Sequence, residues 1–286
     1  MTNTVNYEVN ISDVEYIRHG DQAYLARVYQ PKGQGPFPLV IDLHGGAWCK
    51  KDRMSDEGTD QPLAQSGVVV ASLDFRMPPQ GQYPSSLQDV NYAIRWFKSR
   101  AKQFNIDPKR VGILGVSSGG HQAMLTAMRP HDPRYNSLPL KTDSAVDATV
   151  QCAVMCWPVI DPLGRYEYAQ SLQQGEHAKK AKNWIDSHNL YWPSLNDMAE
   201  ANPTRALERG EAVVMPPVIY LQGTADLAHP VLYRDRFIEH YKKAGGSVAL
   251  HLFEGMGEAF ITTDPQSSQA RDAIAKIISF VHQQIG

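Results

Sequence analysis

The stretch Val111-Gly-Ile-Leu-Gly-Val-Ser-Ser-Gly-Gly120 is typical of a strand that passes through a tight turn into a helix. It opens with an apolar run of strand length, passes through Gly-Val-Ser-Ser-Gly at residues 115–119, and continues into a segment, residues 119–128, that is typical of a helix. Glycines on both sides of Ser117 permit a sharp strand-to-helix turn, which lifts the serine hydroxyl above a sheet at the positive end of the helix. The stretch predicts a nucleophilic serine, although the pentapeptide alone is also compatible with a Gly/Ser-rich connection without chemistry.

Further apolar segments of strand length surround this turn. They are residues 39–43, 68–73, 111–115, 150–160, 218–221 and 248–253. Apolar residues at three- and four-residue steps predict one helix over residues 87–101, capped by Ser86, and another over residues 267–281. Nearly continuous apolar strands separated by helices are typical of a parallel sheet covered on both faces. The sequence therefore predicts an α/β fold.

Two segments depart from this alternation of strands and helices. The first thirty residues alternate apolar and polar side chains, which predicts paired strands at a sheet edge. The apolar positions are Val5, Tyr7, Val9, Ile11, Tyr24, Ala26 and Val28. Residues 161–215 carry short helical patterns, such as residues 177–187, between two buried strands, and a long insertion of this kind is usually functional. We expect a helical cap, inserted at about residues 161–215 into a single domain of residues 1–286.

Composition argues against several classes of function. The 286 residues carry 28 Lys+Arg against 30 Asp+Glu, a net charge of −2, so binding to nucleic acid is not expected. No apolar run reaches the length of a membrane span, and residues 1–10 lack the pattern of a secretory signal. The three cysteines, Cys49, Cys152 and Cys156, form no Cys-x-x-Cys pair, and the histidines show no metal-ligand spacing. We expect a cytoplasmic protein that neither holds a metal nor enters a membrane.

A second motif, His44-Gly-Gly-Ala-Trp48, follows the strand predicted at residues 39–43. Small residues there allow backbone N–H groups to point into a cleft, as an oxyanion hole requires. We assign its donors to Gly46 and Ala47, with Ser118, the residue after the nucleophile, as the third. A phosphate-binding loop is the rival interpretation, but neither Gly-x-x-x-x-Gly-Lys-[Ser/Thr] nor Gly-x-Gly-x-x-Gly occurs.

A third motif, Gly223-Thr-Ala-Asp226, ends the strand predicted at residues 218–221. An acidic residue is expected there when a catalytic serine, acid and histidine follow one another along the chain. Asp226 is the candidate acid, and an ordinary turn aspartate is the alternative interpretation.

Together these motifs resemble the α/β-hydrolase fold, in particular the esterase branch related to hormone-sensitive lipase, kynurenine formamidase, and feruloyl and acetyl-xylan esterases. The resemblance runs from about residue 39 to the C-terminus, with the motifs in the family's order. They are H-G-G-A-W at 44–48, D-F-R-M-P-P and Y-P-S-S-L-Q-D within 74–89, N-I-D-P-K-R-V at 105–111, G-V-S-S-G-G-H at 115–121 and P-P-V-I-Y-L-Q-G-T-A-D at 216–226. The resemblance implies hydrolysis of carboxylic esters or amides without a cofactor, a triad at the carboxyl edge of the sheet, and a variable cap that selects the substrate.

The chain departs from the family pattern where the catalytic histidine is expected. The family has a stretch like F-x-G-x-x-H-x-F, and Phe253-Glu-Gly-Met-Gly-Glu-Ala-Phe260 has Glu258 in place of that histidine. A glutamate side chain ordinarily titrates near ~4.3, so a carboxylate is a weaker base than imidazole at neutral pH. We therefore expect an altered relay of Ser117, Asp226 and Glu258, in which the two carboxylates share a proton. An engineered change at residue 258 is a further explanation.

Four histidines lie near the motifs and could replace the missing base. His44 and His121 match positions that in the family brace the oxyanion loop and support the helix after the nucleophile, so we expect structural roles for both. His251 lies on the strand that precedes Glu258. His229 follows Asp226 by three residues on the same loop, and it is the alternative base that we would test first.

The sequence predicts a serine hydrolase of the carboxylesterase type that acts on a small-molecule ester or amide. One rival is a ligand-binding protein that kept the pocket and lost turnover, as plant gibberellin receptors on this fold did. Another is a lyase or dehydratase in which Glu258 takes a proton from carbon. Five aromatic residues line a pocket or serve in packing: Trp48, Trp157, Trp184, Tyr191 and Trp192. The sequence leaves the natural substrate and the oligomeric state open, a homodimer being one option.

Overall fold

The chain folds around one eight-stranded sheet in a computed structural model that describes residues 6–142 and 145–286. The strands are β1 (Val9–His19), β2 (Gln22–Pro31), β3 (Phe37–Leu43), β4 (Val69–Leu73), β5 (Ile106–Val116), β6 (Cys152–Cys156), β7 (Val218–Gly223) and β8 (Val248–Phe253). Their order in the sheet is β1-β2-β4-β3-β5-β6-β7-β8. The pairs β1–β2 and β2–β4 are antiparallel, and β3 to β8 are parallel. The predicted pair of strands at a sheet edge is confirmed, with Val5 outside the described residues.

Helices cover both faces of this sheet. They are α1 (Glu57–Gln65), α2 (Ser85–Ser99), α3 (Ala101–Phe104), α4 (Ser118–Met128), α5 (Pro162–Ser171), α6 (Ala178–Tyr191), α7 (Leu195–Glu200), α8 (Pro203–Glu208), α9 (Val231–Lys243), α10 (Phe260–Thr263) and α11 (Ser268–Ile285). On one face Val90 of α2, Met124 of α4 and Phe237 of α9 belong to a single buried core. On the other face Leu63 of α1 and Ile277 of α11 belong to a second core. The predicted parallel sheet between two helical layers is therefore confirmed.

Helix α2 begins one residue before its predicted cap. Ser85 is its first residue and Pro84 occupies the cap position, so the prediction that Ser86 caps the helix is wrong. The Ser86 hydroxyl instead shares a hydrogen bond of 2.6 Å with the Tyr191 hydroxyl and accepts another, also 2.6 Å, from the Gln122 amide. Tertiary partners hold this serine inside the helix, where it joins α2 to α4 and α6.

The segment between β6 and β7 contains α5 to α8 and includes residues 161–215, where we expect a cap. We refer to it as the cap segment, and its function as a cap stays a prediction. Asp161 caps α5 by accepting a hydrogen bond of 2.8 Å from the Gly164 N–H, and Asn202 accepts bonds from the first turn of α8. Strand β6 is shorter than the predicted residues 150–160, because Trp157 takes a positive φ of 37° and Pro158 follows it. The chain therefore leaves the sheet there and enters the cap segment.

Candidate active site

Ser117 stands at a sharp turn between β5 and α4, as predicted. It adopts φ 54° and ψ −115°, a strained conformation for a residue with a side chain. Its N–H donates to the Cys156 carbonyl at 2.9 Å, which fixes the turn to the neighbouring strand. A Cβ atom at Gly119 would lie 2.0 Å from the Leu43 carbonyl oxygen, and one at Gly115 would lie 2.4 Å from the carbonyl oxygen of Gly119. Both glycines are required because the turn packs directly against the backbone.

Ser117, His229 and Asp226 form a chain of hydrogen bonds. Ser117 Oγ lies 3.2 Å from His229 Nε2, and His229 Nδ1 lies 2.8 Å from Asp226 Oδ2. The three residues are almost fully buried, with exposed fractions of 7%, 4% and 7%. When Nδ1–H donates to the carboxylate, Nε2 of the neutral ring is free to accept the serine proton. This is the geometry of a nucleophile, a base and a group that orients the base.

The loop from Asp226 to His229 is folded around the aspartate side chain. Asp226 Oδ1 accepts hydrogen bonds from the N–H groups of Ala228, at 2.8 Å, and His229, at 3.2 Å. The Gln222 amide donates to the His229 carbonyl at 2.6 Å. Burial alone would raise the pKa of the Asp226 carboxyl, but the charge and hydrogen bonds of His229 and the bond from Ala228 hold it below its ordinary value. Asp226 therefore remains a carboxylate near neutral pH and can stabilise an imidazolium.

Glu258 does not reach this chain of hydrogen bonds. We expected it to contact Ser117 and Asp226, and the structure places His229 there instead. Glu258 lies on the turn between β8 and α10, is exposed, and makes no hydrogen bond with protein groups in the described part of the chain. The local signal that favoured His229 was its spacing from Asp226, since three residues on one turn suffice to bring imidazole and carboxylate together.

The proposed oxyanion donors lie where the sequence motif predicts a tight loop. Gly46 adopts φ 100° and Ala47 φ 52°. A Cβ atom at Gly46 would lie 2.2 Å from the Lys50 carbonyl oxygen, so glycine is required at this position. Ser118 Oγ accepts the Trp48 N–H at 3.1 Å and ties this loop to α4. Within residues 6–142 and 145–286, the N–H groups of Gly46, Ala47 and Ser118 have no protein acceptor and can serve a ligand oxygen.

The other histidines near the motifs make structural contacts. His44 Nδ1 lies 2.8 Å from the Gly45 carbonyl, and its ring stacks on Phe75 at 4.5 Å. Burial lowers the pKa of His121 to about 4, so this ring is neutral at pH 7. His121 Nε2–H donates to the Ala201 carbonyl at 2.7 Å, which connects α4 to the cap segment. His251 lies on β8, the edge strand of the sheet.

Of the five aromatic residues considered for a pocket, four are buried in packing: Trp48, Trp157, Tyr191 and Trp192. The Trp48 ring stacks on Tyr191 at 5.4 Å and meets Trp192 edge-on at 5.4 Å. Trp184 lines a cavity of about 450 Å³ between α6 and the loops after β7 and β8, together with Leu227 and Glu258. A cavity of this volume can hold a small organic group.

The described residues contain no cluster of His, Cys, Asp or Glu suited to a metal ion. In that same part of the chain, no helix has the length and apolarity needed to cross a bilayer. Cys152 and Cys156 are buried free thiols.

The covered sheet, the turn at Ser117 and the site at the carboxyl ends of the strands define a protein of the α/β-hydrolase fold. The model of the BD-FAE family matches residues 27–234, and the chain belongs to that family. The structure resembles an esterase of Pyrobaculum calidifontis with a TM-score of 0.78 and 20% identity, over 99% of this chain and 88% of the other. The resemblance to the esterase branch that the motifs indicated is thereby confirmed.

Two curated relatives are similar over almost the whole chain. Esterase LipC of Mycobacterium tuberculosis is 27% identical over 92% of this chain, and the match spans only 64% of that protein. The 2-hydroxyisoflavanone dehydratase of Glycyrrhiza echinata is 25% identical over 96% of this chain and 86% of its own length. The chain thus spans less than two thirds of the mycobacterial esterase.

Proposed function

We propose that this protein hydrolyses carboxylic esters, with Ser117 as nucleophile and His229 as general base. The observation that carries the proposal is the hydrogen-bonded chain from Ser117 through His229 to Asp226. Similarity to an esterase over 92% of the chain supports the same class of reaction. Glu258 has no part in the relay that we propose.

The geometry supports acyl transfer in two steps. Ser117 Oγ attacks the carbonyl carbon while its proton passes to His229 Nε2, 3.2 Å away. The N–H groups of Gly46, Ala47 and Ser118 bind the oxyanion of the tetrahedral intermediate. Its C–O bond to the alcohol breaks as His229 returns the proton to the leaving oxygen. Water then repeats the sequence on the acyl-enzyme, and its proton returns through His229 to Ser117 Oγ.

Acylation of Ser117 tests this proposal directly. We would incubate the protein with p-nitrophenyl acetate or butyrate, follow nitrophenolate release, and locate any added mass by peptide mass spectrometry. The expected result is turnover and a transient acyl group on Ser117, both lost in Ser117→Ala. Turnover that persists in Ser117→Ala would overturn the assignment. Acylation without turnover would favour a ligand-binding protein that retains the nucleophile.

A dehydratase is the second candidate, because one relative of nearly full coverage carries that name. An elimination needs a base near carbon and an oxyanion site but no acyl-enzyme. Absence of any label on Ser117, combined with release of water from a β-hydroxy ketone, would favour this candidate over the esterase.

We also propose a cytoplasmic location, supported by three cysteines that remain free thiols. Fractionation of the source cells with an antibody against the chain tests this.

A further inference from the structure

Arg165 is a buried cation with few partners. It lies on α5, is only 3% exposed, and its Nε–H donates to the Ala228 carbonyl at 3.0 Å. Its guanidinium carbon lies 5.0 Å from the centre of the Trp184 ring. Its Nη1 is buried without a hydrogen-bond acceptor among the residues that the structure describes. Burying a charge so incompletely compensated is costly, which calls for a reason in the function of the site.

Arg165 is bonded to the residue that precedes the proposed base. Ala228, which accepts its hydrogen bond, precedes His229 in the chain, and Arg165 and His229 line the same small cavity, with room for about one water. Burial lowers the pKa of Arg165 to about 10, against the opposing charges of Glu258 and Asp226. Arg165 therefore stays a cation at neutral pH, close to two carboxylates.

The other charged groups around that cavity have their own partners. Arg234 of α9 pairs with Asp235 at 2.8 Å. Asp161 accepts hydrogen bonds from the Gly164 N–H and the Asn202 amide. Tyr220 of β7 and Tyr233 of α9 complete the titratable lining. Asp226 is bonded to His229 itself. Arg165 of α5 has a buried Nη1 without an acceptor among the described residues. Glu258, from the turn after β8, lines the larger cavity together with Ala228, the residue before His229, and with Lys180 of α6.

We propose that Arg165 is a positioning residue for His229, and that Arg165 and Glu258 act in opposite directions on the pH at which His229 can accept the Ser117 proton. The inference rests on the proposed function. The hydrogen bond to Ala228 holds the backbone on one side of His229, while Gln222 holds its carbonyl on the other. A nearby cation disfavours an imidazolium and a nearby carboxylate favours it, so the two charges oppose each other. This gives Glu258 a role without contact with Ser117.

The test is the pH dependence of kcat/KM between pH 5 and 10 for Arg165→Met, Glu258→Gln and the double variant. Removing the cation favours the protonated imidazole, so in Arg165→Met the midpoint of the acidic limb should rise by about one pH unit, the scale of one nearby charge. In Glu258→Gln it should fall, and the double variant should lie between the two single variants. Arg27→Met is the matched control, because Arg27 of β2 pairs with Asp13 of β1 at the opposite edge of the sheet from β7 and β8. Its midpoint should equal that of the wild type.

Arg165→Lys separates the charge of Arg165 from its shape. It keeps the cation and should keep the wild-type midpoint even if kcat falls because the planar contact is lost. Equal losses of activity at every pH in Arg165→Met, with an unmoved midpoint, would reduce Arg165 to a structural residue and overturn the inference. An unmoved midpoint in Glu258→Gln would overturn the part that concerns Glu258.

The rate at which a fluorophosphonate labels Ser117, measured over the same pH range, gives a second readout that needs no turnover. If Arg165→Met fails to fold by circular dichroism, Arg165→Gln, which also removes the charge, replaces it, and the same rise of the midpoint is expected. Wild-type protein that neither turns over esters nor reacts with the fluorophosphonate would overturn the proposed function. Wild-type activity with unmoved midpoints overturns the present inference alone.

Discussion

Replacing Asp56 by asparagine should stabilise this protein, and only above mildly acidic pH. Asp56, beside the start of α1, is buried together with Asp42 of β3 and Asp60 of α1. Five of their six carboxyl oxygens are buried without a hydrogen-bond partner in the described part of the chain. Burial raises the pKa of Asp56 to about 6, although Lys51 opposes the shift. Burial, reinforced by the neighbouring carboxylates, also places the pKa values of Asp42 and Asp60 well above the ordinary range.

The sign of the effect follows from the raised pKa. The folded protein holds the Asp56 proton more tightly than the unfolded chain, so the free energy of unfolding falls as pH rises from the ordinary value of 3.8 through about 6. One pH unit corresponds to about 1.4 kcal/mol, so the loss at pH 7 is on the order of 3 kcal/mol. An asparagine has no proton to lose and escapes this loss.

Urea denaturation of wild type and Asp56→Asn at pH values from 4 to 8 measures this difference. The two proteins should be nearly equal at pH 4, and the variant should gain on the order of 3 kcal/mol by pH 7. Asp21→Asn, an exposed aspartate, is the control and should show little pH-dependent difference. A difference that does not change with pH, or a variant less stable than wild type at pH 8, would contradict a raised pKa of Asp56 in the folded protein.

Three further substitutions test the proposed oxyanion donors, the packing of Trp48 and the role of residue 258. Gly46→Ala should lower kcat by about 10²–10³-fold, because Cβ would lie 2.2 Å from the Lys50 carbonyl oxygen and displace a proposed oxyanion donor. Gly175→Ala is the control for backbone strain, because Gly175 has φ 88° and nothing within 4 Å of its added Cβ. Equal losses of kcat in both variants would contradict the oxyanion role. Trp48→Ala should lower the free energy of unfolding by about 3–5 kcal/mol in urea titrations, since this buried ring joins the loop after β3 to α6. A loss below about 1 kcal/mol would contradict that packing role. Glu258→His should give no tenfold gain in esterase activity at pH 7 to 8, because His229 already contacts Ser117; a larger gain would show that residue 258 is the position for the base.

Local sequence patterns predicted the sheet and the sharp turn at Ser117 well, because apolar runs and glycine positions act over short distances. Residues 39–43 and 248–253 were apolar runs of strand length, and they form β3 and β8. The turn at Ser117 needs glycines that the motif itself displays. These features depend on neighbours along the chain, so they can be predicted from the local sequence.

Contacts between distant parts of the chain were harder to predict. Ser117 and His229 are 112 residues apart, and no local pattern shows that their side chains meet. The family pattern at residues 253–260 predicts the base at residue 258, whereas in the structure the turn from Asp226 to His229 brings an imidazole onto the carboxylate. Similarly, the local sequence predicts Ser86 as a helix cap, but in the structure its hydroxyl is hydrogen-bonded to Tyr191 of α6, a residue distant in sequence.

We propose that His229, rather than Glu258, is the base that serves Ser117. The most direct measurement compares kcat/KM of His229→Gln and Glu258→Gln for p-nitrophenyl acetate, each at the pH of its own maximum. We predict a loss of about 10²–10⁴-fold in His229→Gln, the contribution of a general base, and a value within tenfold of wild type in Glu258→Gln. A His229→Gln variant that keeps wild-type activity while Glu258→Gln loses it would contradict the account.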